Sequence, residues 1–284
     1  MILVTGATGN VGRELVELLR AEGEPVRAVT RDAAKAGPLA GAEVVQADPS
    51  QPESLRGALA GVHGIFLNLA ALGGAGAELL ALAGECGVRR VVLLSSGSVE
   101  ISAPEEGNLI AEMHRTAEQQ IEASGLAWTF LRPNEFAANS LFQWAPQVRA
   151  SDVVRSAYGQ SQMAPIHERD IAAVAALALR TGEHDGQSYL MTGPESLTVV
   201  DKVRIIGEVI GRDLRFEELS REEGEQVMVQ SGLPAPLVAT LLDYQAATVG
   251  TPAQVSTVVP ELTGRPGLSY ATWVAEHAAA FRAA

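Results

Sequence analysis

Short apolar runs alternate with amphipathic segments through the first half of the chain. The apolar runs, rich in the β-branched and aliphatic residues of buried strands, read MILVTG, PVRAVTR, HGIFLNLA, RRVVLLSSG and AWTFLRP. The segments between them repeat apolar residues with the helical period of about 3.6, and they include NVGRELVELLRAEG, PESLRGALAG, GAELLALAGECG and IAEMHRTAEQQIEAS. This alternation is typical of βαβ units, so it predicts an α/β fold in which helices cover both faces of a parallel sheet.

The rest of the chain is less regular. MAPIHERDIAAVAALALRTG predicts a loop followed by a helix that is apolar enough to pack on the sheet, and QSYLMTG predicts another strand. TVVDKVRIIGEVIGR, PAPLVATLLDYQAATVG and YATWVAEHAAAFRAA predict further helices. We therefore predict a doubly wound core over residues 1–135, to which residues 164–194 return, and a smaller, mostly helical C-terminal cap formed by residues 136–163 and 195–284.

The stretch LVTGATGNVGREL joins the first predicted strand to the first predicted helix. Its glycines have the spacing of a Rossmann-type dinucleotide-binding fingerprint, in which missing side chains allow a tight turn, close approach of a pyrophosphate and tight packing of helix on strand. The N–H groups and the dipole at the start of the helix then favour the anion. The predicted cofactor contacts in this loop are Gly6, Thr8, Gly9, Asn10, Val11 and Gly12.

The residues that end the second predicted strand bear on the choice between the two nicotinamide cofactors. Arg31 stands about 20 residues after the glycine motif, where an arginine accepts the 2′-phosphate of NADPH. NADH remains possible if the neighbouring Asp32 faces the ribose instead. Asp48, which ends the third predicted strand, is expected either to bind the adenine amino group or to cap the next helix.

Composition narrows the class of protein. A chain of 284 residues with 47% hydrophobic residues can bury a large core, whereas a net charge of -13 argues against binding to nucleic acid. The single cysteine, Cys86, excludes an internal disulfide and has no ligand at metal-binding spacing, so no metal site is predicted. No apolar run approaches the roughly 18 residues of a membrane span. Because the first strand begins at Met1, we expect a cytoplasmic protein without a signal peptide or membrane anchor.

Several stretches carry a resemblance to a known family: VTGATGNVG, AVTRD, QADPSQPESL, VVLLSSG, HRTAEQQIEASGLAWTFLRPNEFAANS, IHERDIAAVAALAL and LTGRPGLSYATWVAEHAAAF. Together they cover nearly the whole chain, which resembles the NmrA-like atypical short-chain dehydrogenase/reductases. That family contains quinone and aromatic-compound reductases, isoflavone-type reductases and redox-sensing regulators that bind the cofactor without turning it over. Some relatives act in aromatic polyketide biosynthesis, where quinone reduction prepares the ring for attack by oxygen.

The resemblance implies a site without the usual catalytic dyad. Conventional members of the superfamily carry a serine and a Tyr-x-x-x-Lys pair, in which the tyrosine is the general acid. In register with the stretch from Glu118 to Pro133, this chain has Ile110 at the tyrosine position and His114 at the lysine position. The tyrosines and lysines stand elsewhere in the sequence, at Tyr158, Tyr189, Tyr244, Tyr270, Lys35 and Lys202.

His114 and Ser95 are the predicted catalytic residues. An imidazole with the ordinary pKa of about 6.5 can bind the nicotinamide ribose or a substrate oxygen and can donate a proton at neutral pH. The alternative is that His114 is only a structural residue of its helix. Ser95 and Ser96 follow the fifth predicted strand, where they can equally well close the strand turn and touch the cofactor. The predicted cofactor contacts at the strand ends are Asn68, Ser95, Ser96 and Pro133.

The stretch after the sixth predicted strand is expected to contact substrate, because in the resembling family it lies near the nicotinamide and covers the substrate pocket. Its aromatic and amide side chains suit a flat ligand. Trp144 can instead join cap to core. The predicted substrate contacts are His114, Asn134, Phe136, Asn139 and Phe142.

The missing tyrosine also constrains the reaction. Hydride delivery to a simple ketone develops an alkoxide, which needs a good acid, whereas delivery to a quinone develops a phenolate-like anion of pKa about 10 that water or His114 can protonate. We therefore predict an NADPH-dependent oxidoreductase that transfers hydride to a quinone or related aromatic or conjugated acceptor. Two alternatives stay open: quinone reduction that primes oxygen attack, as in a monooxygenase, and a non-catalytic regulator that senses the dinucleotide. The oligomeric state is also open.

Overall fold

The computed structural model describes residues 1–37, 39, 41–101 and 107–282. Its strands are β1 (Ile2–Val4), β2 (Val26–Thr30), β3 (Glu43–Gln46), β4 (Gly64–Asn68), β5 (Arg90–Leu94), β6 (Ala127–Pro133), β7 (Val153–Ala157), β8 (Gln162–Met163), β9 (Gln187–Met191), β10 (Leu197–Thr198) and β11 (Arg215–Leu219). Its α-helices are α1 (Asn10–Ala21), α2 (Leu69–Leu72), α3 (Gly76–Glu85), α4 (Ser98–Ile101), α5 (Leu109–Ala123), α6 (Asn139–Gln143), α7 (Ala145–Ala150), α8 (Glu168–Arg180), α9 (Val199–Ile210), α10 (Arg221–Gln230), α11 (Ala235–Ala247), α12 (Val258–Thr263), α13 (Tyr270–Glu276) and α14 (Ala278–Phe281).

Seven of the described strands form one parallel sheet in the order β3-β2-β1-β4-β5-β6-β9. Strand β1 lies in its middle, where Leu3 pairs with Arg27 on one side and with Ile65 on the other. The strand order therefore reverses between β1 and β4, as in a doubly wound sheet, and such a reversal opens a crevice at the carboxyl ends of the strands. The predicted Rossmann-type fold class is confirmed.

Both faces of this sheet are buried, which explains why its strands read as continuous apolar runs. On one face, Leu3, Ile65, Val91 and Leu93 belong to a cluster that also contains Leu79 of α3 and Ile121 of α5, among others. On the other face, α1 packs against α8, and α8 also contacts β4, β5 and β6. Each fully buried aliphatic side chain of this kind contributes about 1.5–3 kcal/mol. The burial of the sheet thus holds the strand ends rigidly enough to position a site.

The chain divides into two compact units. Unit 1 comprises Met1–Pro133, Glu168–Met191 and Val258–Gly264, and unit 2 comprises Asn134–His167, Thr192–Thr257 and Arg265–Ala284. Unit 2 is mostly helical and has its own apolar core, which includes Val203, Ile206 and Trp273. Two small sheets belong to it, an antiparallel pair of β8 and β10 and a parallel pair of β7 and β11. The segment Val258–Gly264, which the sequence pattern places in the cap, groups with unit 1.

Several elements differ from the sequence pattern. PESLRGALAG forms only a 3-10 helix, Pro52–Leu55, because Gly57 and Gly61 follow and glycine disfavours helix continuation. The last predicted helix is divided into α13 and α14 at His277. Strands β7 and β11 were not predicted, since β11 is the largely polar and exposed RFEEL. Within the part of the chain that the structure describes, no helix combines the length and apolarity that crossing a membrane requires.

Candidate cofactor-binding and active site

The glycine loop between β1 and α1 is shaped by two close approaches. Gly6 has φ +61, a left-handed conformation, and a side chain there would overlap the amide nitrogen of Asn68. A side chain on Gly12 would overlap the carbonyl oxygen of Gly6, so helix α1 packs directly on the loop. Gly9 differs, because its added Cβ would meet only the Gly6 oxygen at 3.3 Å. Gly6 and Gly12 are thus required by packing, whereas Gly9 leaves room on its outer side.

The outer side of this loop is open backbone at the start of a helix. Gly6, Thr8, Gly9 and Asn10 are exposed, whereas Val11 and Gly12 are buried beneath them. Gly9 is the N-cap of α1, and the first turn contains no acidic side chain. The first N–H groups of a helix have no intrahelical partner, and together with the helix dipole they attract a phosphate. The loop therefore has the shape and polarity that a dinucleotide pyrophosphate requires.

The carboxyl ends of β4, β5 and β6 bring the other predicted cofactor contacts of unit 1 to the same sheet edge. Asn68 ends β4, and its Oδ1 accepts a hydrogen bond from Ala71 N–H at 3.0 Å, so it caps α2 while its amide touches Gly6. Pro133 ends β6, and its carbonyl accepts from Gly97 N–H at 2.8 Å. The Ser96 hydroxyl lies 2.9 Å from that of Ser98. These contacts fix the strand ends around the reversal point between β1 and β4.

Arg31 and Asp48 follow the ends of β2 and β3, one on each of two neighbouring strands. Arg31 is exposed. The neighbouring Asp32 is engaged locally, because its Oδ1 accepts from Ala34 N–H at 3.1 Å. Hydrogen bonds from Ser50 hold the pKa of Asp48 below its usual range, and the positive charge of Arg31 lowers it further. The Arg31 guanidinium is thus exposed at this strand end, while Asp32 closes a turn.

Ser95 lies in a buried network that the sequence analysis missed. Its hydroxyl donates to Glu118 Oε1 at 2.6 Å, and the two residues are 3% and 4% exposed. Arg132 grips the same carboxylate, with Nε donating to Oε1 at 3.0 Å and Nη2 to Oε2 at 2.7 Å. The pair with Glu118 raises the pKa of Arg132, which therefore remains a cation. The only hydrogen atom of the Ser95 hydroxyl is thus committed to Glu118.

His114 lies one helical turn before Glu118 on α5. It is half-buried, and among the residues that the structure describes its Nδ1 is buried without a hydrogen-bond partner. Burial lowers the pKa of His114, and the negative charge of Glu118 opposes that shift. The imidazole is therefore mostly neutral at pH 7, which corrects the expectation of an ordinary titration near 6.5. A neutral imidazole still carries one N–H donor.

The predicted substrate residues of unit 2 are not gathered at one place within that unit. Phe136 packs against the core of unit 2 and forms a parallel bridge with Ile166. Asn139 is exposed at the start of α6, and Asn134 is half-buried. Phe142 is 52% exposed and lines a surface groove with Met228 and Leu242, among others. Trp144 is 3% exposed and belongs to the core of unit 2.

A second buried ion pair, also missed from the sequence, lies in unit 2. Lys202 Nζ donates to both carboxylate oxygens of Glu135 at 2.7 Å, and it lies 5.3 Å from the centroid of the Trp144 ring. Lys202 is therefore engaged in holding the segment that follows β6. The sequence could have indicated that Lys202 is buried, because it is the single lysine of the valine- and isoleucine-rich segment TVVDKVRIIGEVIGR.

Three of the tyrosines lie in surroundings that disfavour ionisation. Burial raises the pKa of Tyr189, Tyr244 and Tyr270 above the ordinary value, whereas a catalytic tyrosine needs a lowered one. The Tyr270 hydroxyl lies 2.7 Å from that of Ser140 inside unit 2. No cluster of three or more metal-ligating side chains occurs in the described ranges.

Comparisons with known proteins agree with this geometry. A family profile described as NAD(P)H-binding matches residues 6–181. The chain is 39% identical to (4-alkanoyl-5-oxo-2,5-dihydrofuran-3-yl)methyl phosphate reductase of Streptomyces griseus, over 99% of both proteins. It is 34% identical to NAD(P)H azoreductase of Xenophilus azovorans, over 100% of both. The crystal structure of an NADPH-dependent quinone oxidoreductase from Escherichia coli, complexed with NADPH, superposes with a TM-score of 0.80 at 27% identity, over 98% of this chain and 99% of that one.

Proposed function

The chain belongs to the NAD(P)H-binding family of atypical short-chain dehydrogenase/reductases, and from this premise we propose that it transfers hydride from NADPH to a quinone or another conjugated acceptor. It is an NAD(P)H-dependent oxidoreductase. The finer proposal is supported by the composition of α5, where the resemblance to the family assigns Ile110 and His114 to the positions of the conventional tyrosine and lysine. The site thus lacks the acid that a simple ketone requires.

The cofactor is proposed to lie along the carboxyl edge of the sheet. The open backbone around Gly9 receives the pyrophosphate, a cradle that a side chain at that position would fill. Arg31 binds the 2′-phosphate through charge-assisted hydrogen bonds, which favours NADPH over NADH. Ser96 and Pro133 hold the strand ends where the nicotinamide lies. NADPH supplies the hydride when it is bound, and the residues of the chain orient it and supply the proton.

Proton supply determines which acceptors suit this site. Reduction of a ketone needs a strong acid beside the oxygen, because an alkoxide is far more basic than any side chain here. A conjugated acceptor instead delocalises the charge, and a phenolate-type anion has a pKa of about 10. The imidazolium form of His114, or solvent, protonates such an anion, whereas the N–H of the neutral ring donates a hydrogen bond to it. His114 is therefore proposed as the proton donor at the end of the conjugated system.

The names of the relatives support this class of acceptor. An azo bond, a quinone and the 5-oxo-2,5-dihydrofuran ring are all conjugated systems that spread the negative charge left by hydride addition. They share no size or shape, so the shared property is electronic. We infer that the acceptor of this protein is also conjugated. Small aromatic or quinone compounds are its proposed substrates, and the cytoplasm is its proposed location.

The test is NADPH oxidation with a panel of quinones, azo dyes, unsaturated lactones and simple ketones, each measured in air and without oxygen. We expect turnover of conjugated acceptors, no turnover of ketones, and a primary isotope effect with NADPH deuterated at the transferred position. Gly9→Val is the matched control, since it should remove the cofactor and leave the fold. Cofactor binding without turnover of any acceptor would indicate a sensor, and an oxygenated product formed only in air would indicate a monooxygenase.

A further inference from the structure

The Ser95 hydroxyl has a fixed direction in the hydrogen-bond network of unit 1. A serine hydroxyl carries one hydrogen atom and two acceptor lone pairs. Because that hydrogen atom points to Glu118 Oε1 at 2.6 Å, Ser95 can act toward any other neighbour only as an acceptor. The fork of Arg132 prevents the carboxylate from rotating away, since it engages both oxygens. The direction of the Ser95 hydroxyl is therefore set by Glu118 and Arg132 together.

The same carboxylate faces His114. Residues four apart on a helix lie on one face, so Glu118 stands one turn below the imidazole on α5. The Nδ1 of His114 is buried and has no hydrogen-bond partner among the described residues. Glu118 thus touches one predicted catalytic residue directly and acts on the other through its field.

Several other charged groups lie on α5 and on the elements that pack against it. Helix α5 packs against α2, α3, α4 and β6. Besides Glu118, the charged groups of these elements and of α5 itself are Glu78, Glu85, Glu100, Glu112, Arg115, Glu122 and Arg132. Arg132 also approaches Glu100 at 3.5 Å, and Arg115 donates to the Val99 carbonyl at 3.2 Å. Among the described residues, Glu118 is the charged group whose field acts on the His114 imidazole.

We propose that Glu118 is a positioning residue of the hydride-transfer site. By accepting the Ser95 hydrogen atom, Glu118 leaves the Ser95 oxygen as a hydrogen-bond acceptor toward the ligand, so that His114 is the proton donor of the site. The two predicted catalytic residues then have different roles: Ser95 orients, and His114 protonates. This inference rests on the proposed function, because it assigns roles within the same site. Glu118 itself is 4% exposed and so acts through its two neighbours.

The chain contains a matched control pair. Arg90 donates to both oxygens of Asp185, with Nε at 2.7 Å from Oδ1 and Nη2 at 3.0 Å from Oδ2. This fork has the same geometry as that of Arg132 on Glu118, but Arg90 begins β5, at the opposite edge of the sheet. Its side chain is 17% exposed, close to the 18% of Arg132. Asp185→Asn therefore removes a carboxylate with the same arginine fork at the opposite edge of the sheet, although the Asp185 side chain is 33% exposed and that of Glu118 is 6% exposed.

The experiment compares Glu118→Gln with Asp185→Asn in the full-length protein. The titration midpoint of His114 is followed by NMR without cofactor or acceptor, and the signal is assigned among the five histidines with His114→Gln. For Glu118→Gln we expect a lower midpoint, because the attraction that favours the imidazolium is lost. We also expect kcat to fall by about tenfold or more, with a smaller change in KM, and the pH profile of kcat to shift in the same direction. Asp185→Asn should match the parent protein in all three measurements.

If Glu118→Gln does not fold because Arg132 is left unpaired, the double variant Glu118→Gln, Arg132→Gln removes both charges and keeps an amide oxygen at position 118 that can still accept from Ser95. An unchanged His114 midpoint in the folded variant, or an equal shift in Asp185→Asn, would overturn the proposal. A parent protein that binds NADPH but reduces no acceptor would refute the proposed function instead. The NMR titration uses neither acceptor nor turnover, so it would still show whether Glu118 controls His114.

Discussion

At the amino edge of the seven-stranded sheet, Arg90 grips Asp185, and Arg27 pairs with Glu43 while also donating to the carbonyls of Ala58 and Ala60. At the carboxyl edge, Glu118 accepts hydrogen bonds from the Arg132 guanidinium and also from the Ser95 hydroxyl. One helical turn away is His114, whose Nδ1 has no hydrogen-bond partner among the described residues. The glycine loop beside it exposes backbone N–H groups at a helix start. Arginine–carboxylate pairs thus occur at both edges of the sheet. At the carboxyl edge they lie together with exposed backbone N–H groups of the glycine loop, which a bound ligand could use.

The two edges differ in what their carboxylates bind, because Glu118 accepts from a hydroxyl as well as from an arginine. Both edges contain a buried nitrogen without a hydrogen-bond partner among the described residues, Arg27 Nε at the amino edge and His114 Nδ1 at the carboxyl edge, so such an atom does not by itself mark a site. The following changes test whether the carboxyl edge is the site and how its members divide the work.

The largest effect is expected from Gly9→Val, which should abolish NADPH binding because the side chain occupies the space where the pyrophosphate approaches. The fold should survive, since an added Cβ meets only the Gly6 oxygen at 3.3 Å. Calorimetric titration and circular dichroism measure the two properties. Gly12→Ala is the contrasting variant and should lose roughly 1–3 kcal/mol of unfolding free energy, because its Cβ overlaps the Gly6 carbonyl. Normal NADPH affinity in a folded Gly9→Val would contradict the proposed docking.

His114→Ala should lower kcat/KM by about 10- to 1,000-fold, the low end for a lost hydrogen bond and the high end for lost proton donation. His114→Gln keeps a hydrogen-bond donor but cannot titrate. Steady-state kinetics over a range of pH separate the roles: if Gln is as poor as Ala, His114 donates a proton. Ser95→Ala should lose less than His114→Ala, because the Ser95 hydrogen atom is already committed to Glu118. Full activity in both His114 variants would make it a structural residue of α5.

Arg31→Ala should weaken NADPH binding by about 10- to 100-fold and NADH binding far less, because only NADPH carries the 2′-phosphate. The guanidinium is exposed in the structure, so its removal should leave thermal stability nearly unchanged. Calorimetry with the two cofactors provides the measurement. Equal weakening of both would remove Arg31 from the 2′-phosphate site.

The smallest effect concerns stability against pH. Burial holds the pKa of His114 in the folded protein below the unfolded value of about 6.5. The unfolded chain therefore binds more protons in this range, and the free energy of unfolding should fall as pH decreases from about 6.5 through the folded pKa. His114→Gln lacks this contribution, so urea unfolding at a series of pH values should give a flatter curve for that variant. Parallel curves would mean that His114 is not desolvated.

The fold class could be predicted because it depends on local pattern. Alternation of apolar runs with helical periodicity identifies βαβ units, and Gly6, Gly9 and Gly12 mark the turn between the first strand and the first helix. The hydrophobic pattern did not predict β11, because its residues are largely polar. This segment is a strand because it pairs with β7. Pairing across distant parts of the chain has no local signature.

The sequence by itself therefore determined the doubly wound sheet, the place of the dinucleotide loop and the absence of a Tyr-x-x-x-Lys pair, because each is a matter of residue order. Only the tertiary structure decided that one buried network joins Ser95 after β5, Glu118 on α5 and Arg132 on β6. It also decided that burial makes His114 mostly neutral. The physical reason is that the direction of a hydroxyl and the charge of an imidazole depend on the groups packed around them, and those groups come from elements far apart in the chain.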